Sequence, residues 1–411
     1  MRLLSLVLLL SVDAMCQFDV NTYLARSSNE VEIQALNAQM DFLSETDFRS
    51  PFFREFEFRM RTRDFETGFD DFRFRISPLN PYERRANKQY ASAIDAQMQS
   101  EILVNYTTVL ESRYQILIKH IYLRNISNSI EQGEQYYRQL MLAKSKVREG
   151  GGGSAKDLIQ LDKKLFSISL KKDNLEAELE RVEYLIGTGY TFDGDISWND
   201  YPLVSVESIQ NTLEFIDQTD PSTNLYVQNE RNKIRVAEND LEINKQESFS
   251  NIGYIQAEYR PYQGETLSET MGMQIGFQLP IVDPDRPDLE RRKLRLIEDQ
   301  EDVLEMQRDV EMNLFSYKNK LEAAIRQYDK VSLKIESLLK FAPSASTSTV
   351  EVLLELREYK EDLQEMQQEI YSQILSSYIT LLQYHGLLAR APYRNYLSDE
   401  FTEFDMEMPV R

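Results

Sequence analysis

Two stretches of the chain alternate apolar and polar residues with the period of a β-strand, then pass through prolines into long helical patterns. In the first, beginning at Pro51, Phe56, Phe58 and Met60 alternate with Glu55, Glu57, Arg59 and Arg61. After a turn around Thr67 and Gly68, Phe72, Phe74 and Ile76 alternate with Asp71, Arg73 and Arg75. Pro78 and Pro81 close that strand and start a helix, as prolines do at a first turn. The second stretch begins near Ile252 and turns near Gln263 and Gly264. There Met271, Met273, Ile275, Phe277 and Leu279 alternate with Gly272, Gln274, Gly276 and Gln278 ahead of Pro280, Pro284 and Pro287. The same parts in the same order predict an internal duplication.

Hardly a breaker interrupts residues 82–149 or 287–340, so each is expected to be one helix, about 100 and 80 Å long. In the second, Val310, Leu314, Tyr317, Leu321, Ala324, Tyr328, Val331, Ile335 and Leu338 step by four and three, the pattern of a coiled-coil seam. Both helices meet a run of small residues, REGGGGS and FAPSASTST, restart with an acid (Asp157, Glu351) and return as a second helix toward Gly187 and Gly386. Shorter helical runs at 30–44 and 226–246 precede the two hairpins. The expected layout is a first repeat over 17–187, with a β-hairpin at about 51–77 and a helical tip at about 149–156. A connector over 188–220 holds the one tryptophan, Trp198. A second repeat follows over 221–388, with a β-hairpin at about 250–280 and a tip at about 341–349, then a tail over 389–411.

Composition narrows the class. Only 14 glycines and 12 prolines punctuate 411 residues, so the elements are few and long. The opening MRLLSLVLLLSVDAMC has a basic start and an apolar run too short to span a bilayer, and reads as a signal peptide over 1–16. Ala14 and Cys16 fit the small-residue cleavage positions. Acylation of Cys16 is the weaker alternative, because Asp13 stands where such a site wants an aliphatic residue. Loss of Cys16, the one cysteine, leaves no disulfide. The net charge of −21 makes the chain a poor nucleic-acid binder. No later segment has the apolar length of a transmembrane helix.

A two-faced hairpin in a soluble protein lays its apolar face on a core, but here the flanking segments are long rods with narrow seams. The pattern fits a transmembrane barrel better. Phe56, Phe58, Met60, Phe72, Phe74, Ile76, Met273, Ile275 and Phe277 then face lipid. Glu55, Glu57, Arg59, Arg61, Arg73, Arg75, Gln256, Glu258, Gln274 and Gln278 line a wet, weakly selective lumen. Lipid forbids open strand edges, so four strands must close by association, and three chains supply twelve.

At this point the chain resembles the TolC family of outer-membrane efflux proteins over nearly all of its mature length. NLYVQNERNKIRVAENDLEINKQESFSNIGYIQAEYRP is similar to that family's helix entering the second hairpin, and IGFQLPIVDPDRPDLERRKLRLIEDQ to its strand, prolines and outgoing helix. GSAKDLIQLDKKL and STVEVLLELREYKEDL resemble the two helical-hairpin tips. The resemblance implies a mostly α fold with a membrane β-barrel. Two repeats of coiled-coil helical hairpins plus β-hairpins would close as a trimeric α/β barrel. It implies a homotrimer in the outer membrane of a Gram-negative bacterium, extending into the periplasm. Its partners would be outer-membrane lipid, a periplasmic adaptor (membrane fusion) protein and an inner-membrane pump.

The implied adaptor-docking surface is the tips: Gly150, Gly151, Gly152, Gly153 and Ser154, with Pro343, Ser346, Ser348 and Thr349. These tips depart from the family's commoner Val-Gly-Leu/Thr pattern, so the docking detail differs. Asp157 and Glu351, one turn past the tips, would form a ring of carboxylates that gates the mouth and favours cations. Each also fits the dipole of a helix start. Thr347 and Ser348 stand where some relatives have an arginine, so an arginine latch is not implied.

His120 and His385 lack neighbours at metal-ligand spacing, and no nucleophile elbow, P-loop or dinucleotide glycine pattern is present. The expectation is a passive exit duct, with no cofactor, no metal and no enzyme chemistry. Two other classes compete. A periplasmic coiled-coil adaptor usually carries one hairpin between lipoyl-like halves, whereas two hairpins are read here. A structural coiled-coil protein without a pore would leave the phenylalanine faces bare to water.

Overall fold

The structure, a computed structural model, describes residues 18–45, 52–61, 71–149, 155–189, 201–216, 224–248, 252–259, 271–277, 286–341 and 350–405, with Ile196 and Trp198. Helices α1 (Val20–Ala25) and α2 (Val31–Glu45) lead to strands β1 (Phe53–Arg61) and β2 (Asp71–Pro78), then α3 (Pro81–Glu149) and α4 (Ala155–Gly189). After α5 (Val206–Ile216) the order recurs as α6 (Leu225–Ser248), β3 (Ile252–Tyr259), β4 (Met271–Phe277), α7 (Arg286–Phe341) and α8 (Val350–Tyr384). The fold is therefore helical hairpins and β-hairpins in two repeats.

Local chemistry sets the ends. The Asp19 carboxylate accepts from the Asn21 and Thr22 amides and caps α1. Asn80 Oδ1 accepts from the Tyr82 amide (3.1 Å), and Pro81 occupies the first position of α3, where its missing N–H costs nothing. Past α8, Gly386 takes a φ of 69°, and the Leu387 amide reaches back to the Leu382 carbonyl at 3.0 Å. A left-handed glycine with that bond is a helix stop open to few other residues.

The chain divides into two compact units. The first, residues 35–103 and 225–309, holds a four-stranded antiparallel sheet in the order β1-β2-β3-β4. Its helical part is small-cored: Met40 of α2 meets Met98 and Ile102 of α3, with Leu36, Leu43 and Ile94 around them. Helix α6 is tied to α3 by polar pairs, Asn232 to the Ala96 carbonyl (3.2 Å) and Asn229 to Ser100 (2.9 Å). An ion pair joins Arg292 of α7 to Asp240 of α6.

The second unit takes the rest of the described chain. Its core repeats at helical spacing: Tyr106, Leu110, Tyr114, Leu117 and Ile121 of α3, Ile374, Tyr378 and Leu382 of α8, and Leu321 and Ala324 of α7 are buried. Each leucine or isoleucine among them contributes about 1.5–3 kcal/mol by leaving water. In this unit α3 and α8 also meet through polar pairs in antiparallel register. Thr380 donates to Glu111 (3.3 Å), Ser376 to Gln115 (2.7 Å), Asn125 to Gln368 (3.0 Å) and Tyr137 to Glu361 (3.0 Å).

Residues 388–405 are built into the same unit. Leu388, Leu397 and Phe404 are buried, and short bridges pair Leu203 with Ser398 and Arg394 with Glu403. Asn395 donates to Asn21 (2.7 Å) and to Tyr201 (2.6 Å). The wholly buried Tyr114 hydroxyl donates to the Arg394 carbonyl (3.0 Å) and accepts from the Tyr396 amide; burial raises its pKa well above 10, against the lowering effect of that amide.

Candidate functional site

The register of the sheet sorts its residues onto two chemically opposite faces. Phe58 lies opposite Phe74, Phe74 opposite Ala257, and Ala257 opposite Met273, one apolar row across all four strands. Rows above and below it run Phe56, Ile76, Ile255, Ile275 and Met60, Phe72, Tyr259, Met271. Between them Glu57, Arg75, Gln256 and Gln274 form a polar row. Period-two alternation on four strands in one register makes this inevitable.

The apolar rings touch one another without being covered. Phe56 meets Phe74 edge-on at 4.7 Å, and Phe58 stacks with Phe72 at 6.4 Å. Even so, Phe56, Phe58, Met60, Phe74, Met273, Ile275 and Phe277 stay exposed, up to 75 % for Met273, while Phe72 and Ile76 are intermediate. A patch of this size does not rest against water in a settled protein.

The polar face is partly self-paired. Arg59 and Arg73 stand opposite each other, a repulsive arrangement relieved because Arg73 pairs with Glu258 (3.1 Å) and Arg59 with Glu57. Arg75 stacks on the Tyr254 ring at 3.9 Å. That ring lies across Gly276, where a Cβ would meet it at 2.3 Å, so glycine opens the room for the stack. Gln278, Leu279 and Pro280 lie outside the described residues.

The joint between sheet and helix is short and rigid. Only Leu79 and Asn80 separate β2 from α3, and the Leu79 amide donates to the Phe52 carbonyl at 3.1 Å. Arg54 of β1 grips Glu83 in the first turn of α3 with two bonds, 3.1 and 2.7 Å. Glu83 is buried, so this bidentate pair is its charge compensation. The prolines thus mark where pairing between strands changes to pairing within a helix.

Of the gate and docking residues, Gly150, Gly151, Gly152, Gly153, Ser154, Pro343, Ser346, Ser348 and Thr349 lie outside the described residues. Asp157 and Glu351 fall in the first turns of α4 and α8, and their side chains lie outside the described set. Among the described residues no group of three His, Cys, Asp or Glu side chains is placed to hold a metal. No described helix is long and apolar enough to cross a membrane, which says nothing of strands.

Two polar clusters escaped the sequence because their members are far apart in the chain. Glu361 accepts from Tyr137 and from Arg357 (2.8 Å), and Arg357 lies over the Tyr136 ring at 5.0 Å. Lys164 of α4 joins them through Glu358 (3.2 Å). Burial and the adjacent carboxylate raise the Tyr137 pKa far above 10, so its hydroxyl is a fixed donor.

The second cluster centres on the buried His120 of α3. The Trp198 indole N–H donates to its Nδ1 at 2.7 Å, so the ring proton sits on Nε2, facing Glu183 Oε1 at 3.3 Å. Arg124 donates to the same oxygen at 2.7 Å. Burial, with Arg124 adding to it against Glu183, holds the His120 pKa below its ordinary 6.5. The folded state therefore binds this proton less readily than the unfolded chain, and stability is expected to fall as pH drops below about 6.5. The fluorescence of Trp198, the chain's one tryptophan, reports the unfolding midpoint against pH. His120→Gln, which keeps an acceptor but does not titrate, should show a shallower acid limb. An unchanged limb would exclude His120 as the source.

The arrangement was compared with known proteins. No protein-family model matches the chain, and no curated protein matches it in sequence. Solved structures do match. The outer membrane protein VceC of Vibrio cholerae superposes with a TM-score of 0.66 at 12 % identity, over 89 % of this chain and 95 % of that one. The chain adopts the TolC-like outer-membrane channel fold. The CmeC outer membrane channel of Campylobacter jejuni gives 0.60 at 10 % identity, over 92 % and 86 %. The open-state MtrE outer membrane channel of Neisseria gonorrhoeae gives 0.60 at 10 %, over 90 % and 87 %.

Proposed function

We propose that the chain is an outer-membrane channel, the passive exit duct of a tripartite efflux or type I secretion system. The observation that carries this reading is a sheet with one bare apolar face, one polar face and, among the described residues, two open edge strands, β1 and β4. In hydrocarbon such edges are tolerated only when closed, so the sheet calls for further copies, and a homotrimer closes a barrel of ordinary size. The helices carry matching second stripes: Leu294, Ile297 and Leu304 of α7 stay exposed, as do Ile159, Phe166 and Leu170 of α4. These spacings suit packing against a neighbouring copy.

The solved structures of similar fold support a place in the outer membrane, with the helices reaching into the periplasm. The duct holds no energy source, so an inner-membrane pump and an adaptor drive transport. The tips around 149–156 and 341–349 are the docking surface in this reading. Asp157 and Glu351 form the cation-favouring mouth, which opens by outward movement of the inner helices.

The overexpressed protein is expected to require detergent for extraction, to run as a trimer and to conduct in planar bilayers. Aqueous extraction as a monomer would favour the adaptor or structural readings. A trimer that inserts yet stays silent, even carrying Asp157→Ala and Glu351→Ala, overturns the duct.

A further inference from the structure

The sheet-bearing unit places basic side chains at the foot of its strands in both repeats, in a chain whose net charge is −21. Glu83-Arg84-Arg85 lies in the first turn of α3 and is followed by Lys88; Glu290-Arg291-Arg292-Lys293 lies in the second turn of α7 and is followed by Arg295. Arg84, Arg85, Lys88, Arg291, Lys293 and Arg295 are all exposed. Among the described residues, Arg84, Arg85, Lys88 and Arg295 form no ion pair. Arg291 and Lys293 hold only exposed same-helix acids, Asp288 at 3.6 Å and Glu290 at 3.2 Å. The one local acid of the first cluster, Glu83, is already taken by Arg54.

The charges at the start of α3 lie at one end of the apolar face, and those of α7 follow β4 at the corresponding place in the second repeat. The bond from Leu79 to Phe52 fixes the start of α3 beside the first residues of β1. The Arg84 guanidinium lies 4.0 Å over the Phe52 ring, and both Phe52 and Tyr82 are strongly exposed. Phe277, also exposed, ends β4 opposite Ile252, and Arg292 fastens the start of α7 beside α6. The profile is thus apolar strands, an aromatic border and then cations. A bilayer offers the complementary profile of acyl chains, interface and headgroup phosphates.

We propose that these six residues form a belt that binds the phosphates of anionic phospholipids in the leaflet from whose side the helices leave. The proposal rests on the membrane-barrel reading above. It adds a lipid class and a leaflet to it. Cations near a charged leaflet each change partitioning by about fivefold at low salt. A belt repeated in every copy would therefore select anionic from neutral lipid.

The test uses the full chain purified in detergent and placed in phosphatidylcholine vesicles, with or without phosphatidylglycerol. Insertion is read by flotation, and retained phosphatidylglycerol by native mass spectrometry. Wild type is expected to retain phosphatidylglycerol, to lose it several-fold when salt screens the charges, and not to release it to inorganic phosphate. A variant with all six residues changed to Gln should insert equally and lose that retention. Arg59→Gln with Arg73→Gln, on the hydrated face, should keep it. Equal retention by the inserted wild type and the sixfold variant overturns the belt, and so does retention by wild type that ignores salt. Release by inorganic phosphate would mark a free-anion site and also overturn it. If the sixfold variant fails to insert, the salt response of wild type decides alone. Failure of wild type to enter either vesicle sinks the barrel reading, and the belt with it.

Discussion

Met273→Arg or Phe58→Arg is expected to keep the protein out of the membrane, whereas Gln274→Arg, one residue along the same strand as Met273, is expected to be tolerated. Phe58 and Met273 belong to one apolar row near mid-strand, and Gln274 lies on the opposite face. An arginine facing hydrocarbon near mid-depth costs about 2–4 kcal/mol per substitution, and each copy in an assembly carries it. An exposed surface change in a water-soluble protein usually moves stability by about 0.5 kcal/mol or less. The two readings therefore differ sharply, because Met273 is strongly exposed in the single chain and would be an innocuous site in water. Fractionation and the yield of trimer separate them. Equal tolerance of Met273→Arg and Gln274→Arg would refute a lipid-facing sheet.

The second large effect is expected at Glu361. Glu361→Ala leaves the buried Tyr137 hydroxyl without its acceptor and Arg357 without its partner. An unsatisfied buried donor costs about 1–3 kcal/mol. Toward Tyr137 and Glu361 the α3–α8 contact is held by polar pairs, while its buried apolar core lies elsewhere along the two helices, so the loss should loosen this end more than it unfolds the chain. In the duct reading, α8 then moves away from α3 more readily, and single-channel conductance should rise. Glu361→Gln, which keeps an oxygen for the tyrosine, should give a smaller rise. Unchanged conductance in both variants, with unchanged thermal stability, would remove this cluster from any account of opening.

Much of this fold is legible in the sequence because it is made of long, strictly periodic pieces. Phe56, Phe58 and Met60 can alternate with Glu57 and Arg59 only on a two-faced strand, and the rows seen across the sheet follow from that spacing. The unbroken run behind Pro81 likewise leaves little besides α3. Periodicity says nothing about which distant residues meet. Tyr137 and Glu361, or His120 and Trp198, carry no local signature, since each pair is assembled by helices that return after a long excursion. Residues 388–405 were opaque for another reason. Their backbone bonds go to turns and short bridges, so no period marks them, although Leu397 and Asn395 are fully buried. Six basic residues at the strand feet were visible as letters. The seat of Arg84 over Phe52, at the end of an open apolar face, required the registered sheet.

The bonds made by Asn395 have a bearing on how the chain comes into being. Its amide links Asn21, near the beginning of the described chain, to Tyr201, near the middle, and Thr402 lies within reach of Asn21 at 3.3 Å. A ribosome delivers residue 395 long after residue 21, so the knot holding these strands of the story together is tied last. Until then this part of the polypeptide lacks its final clasp.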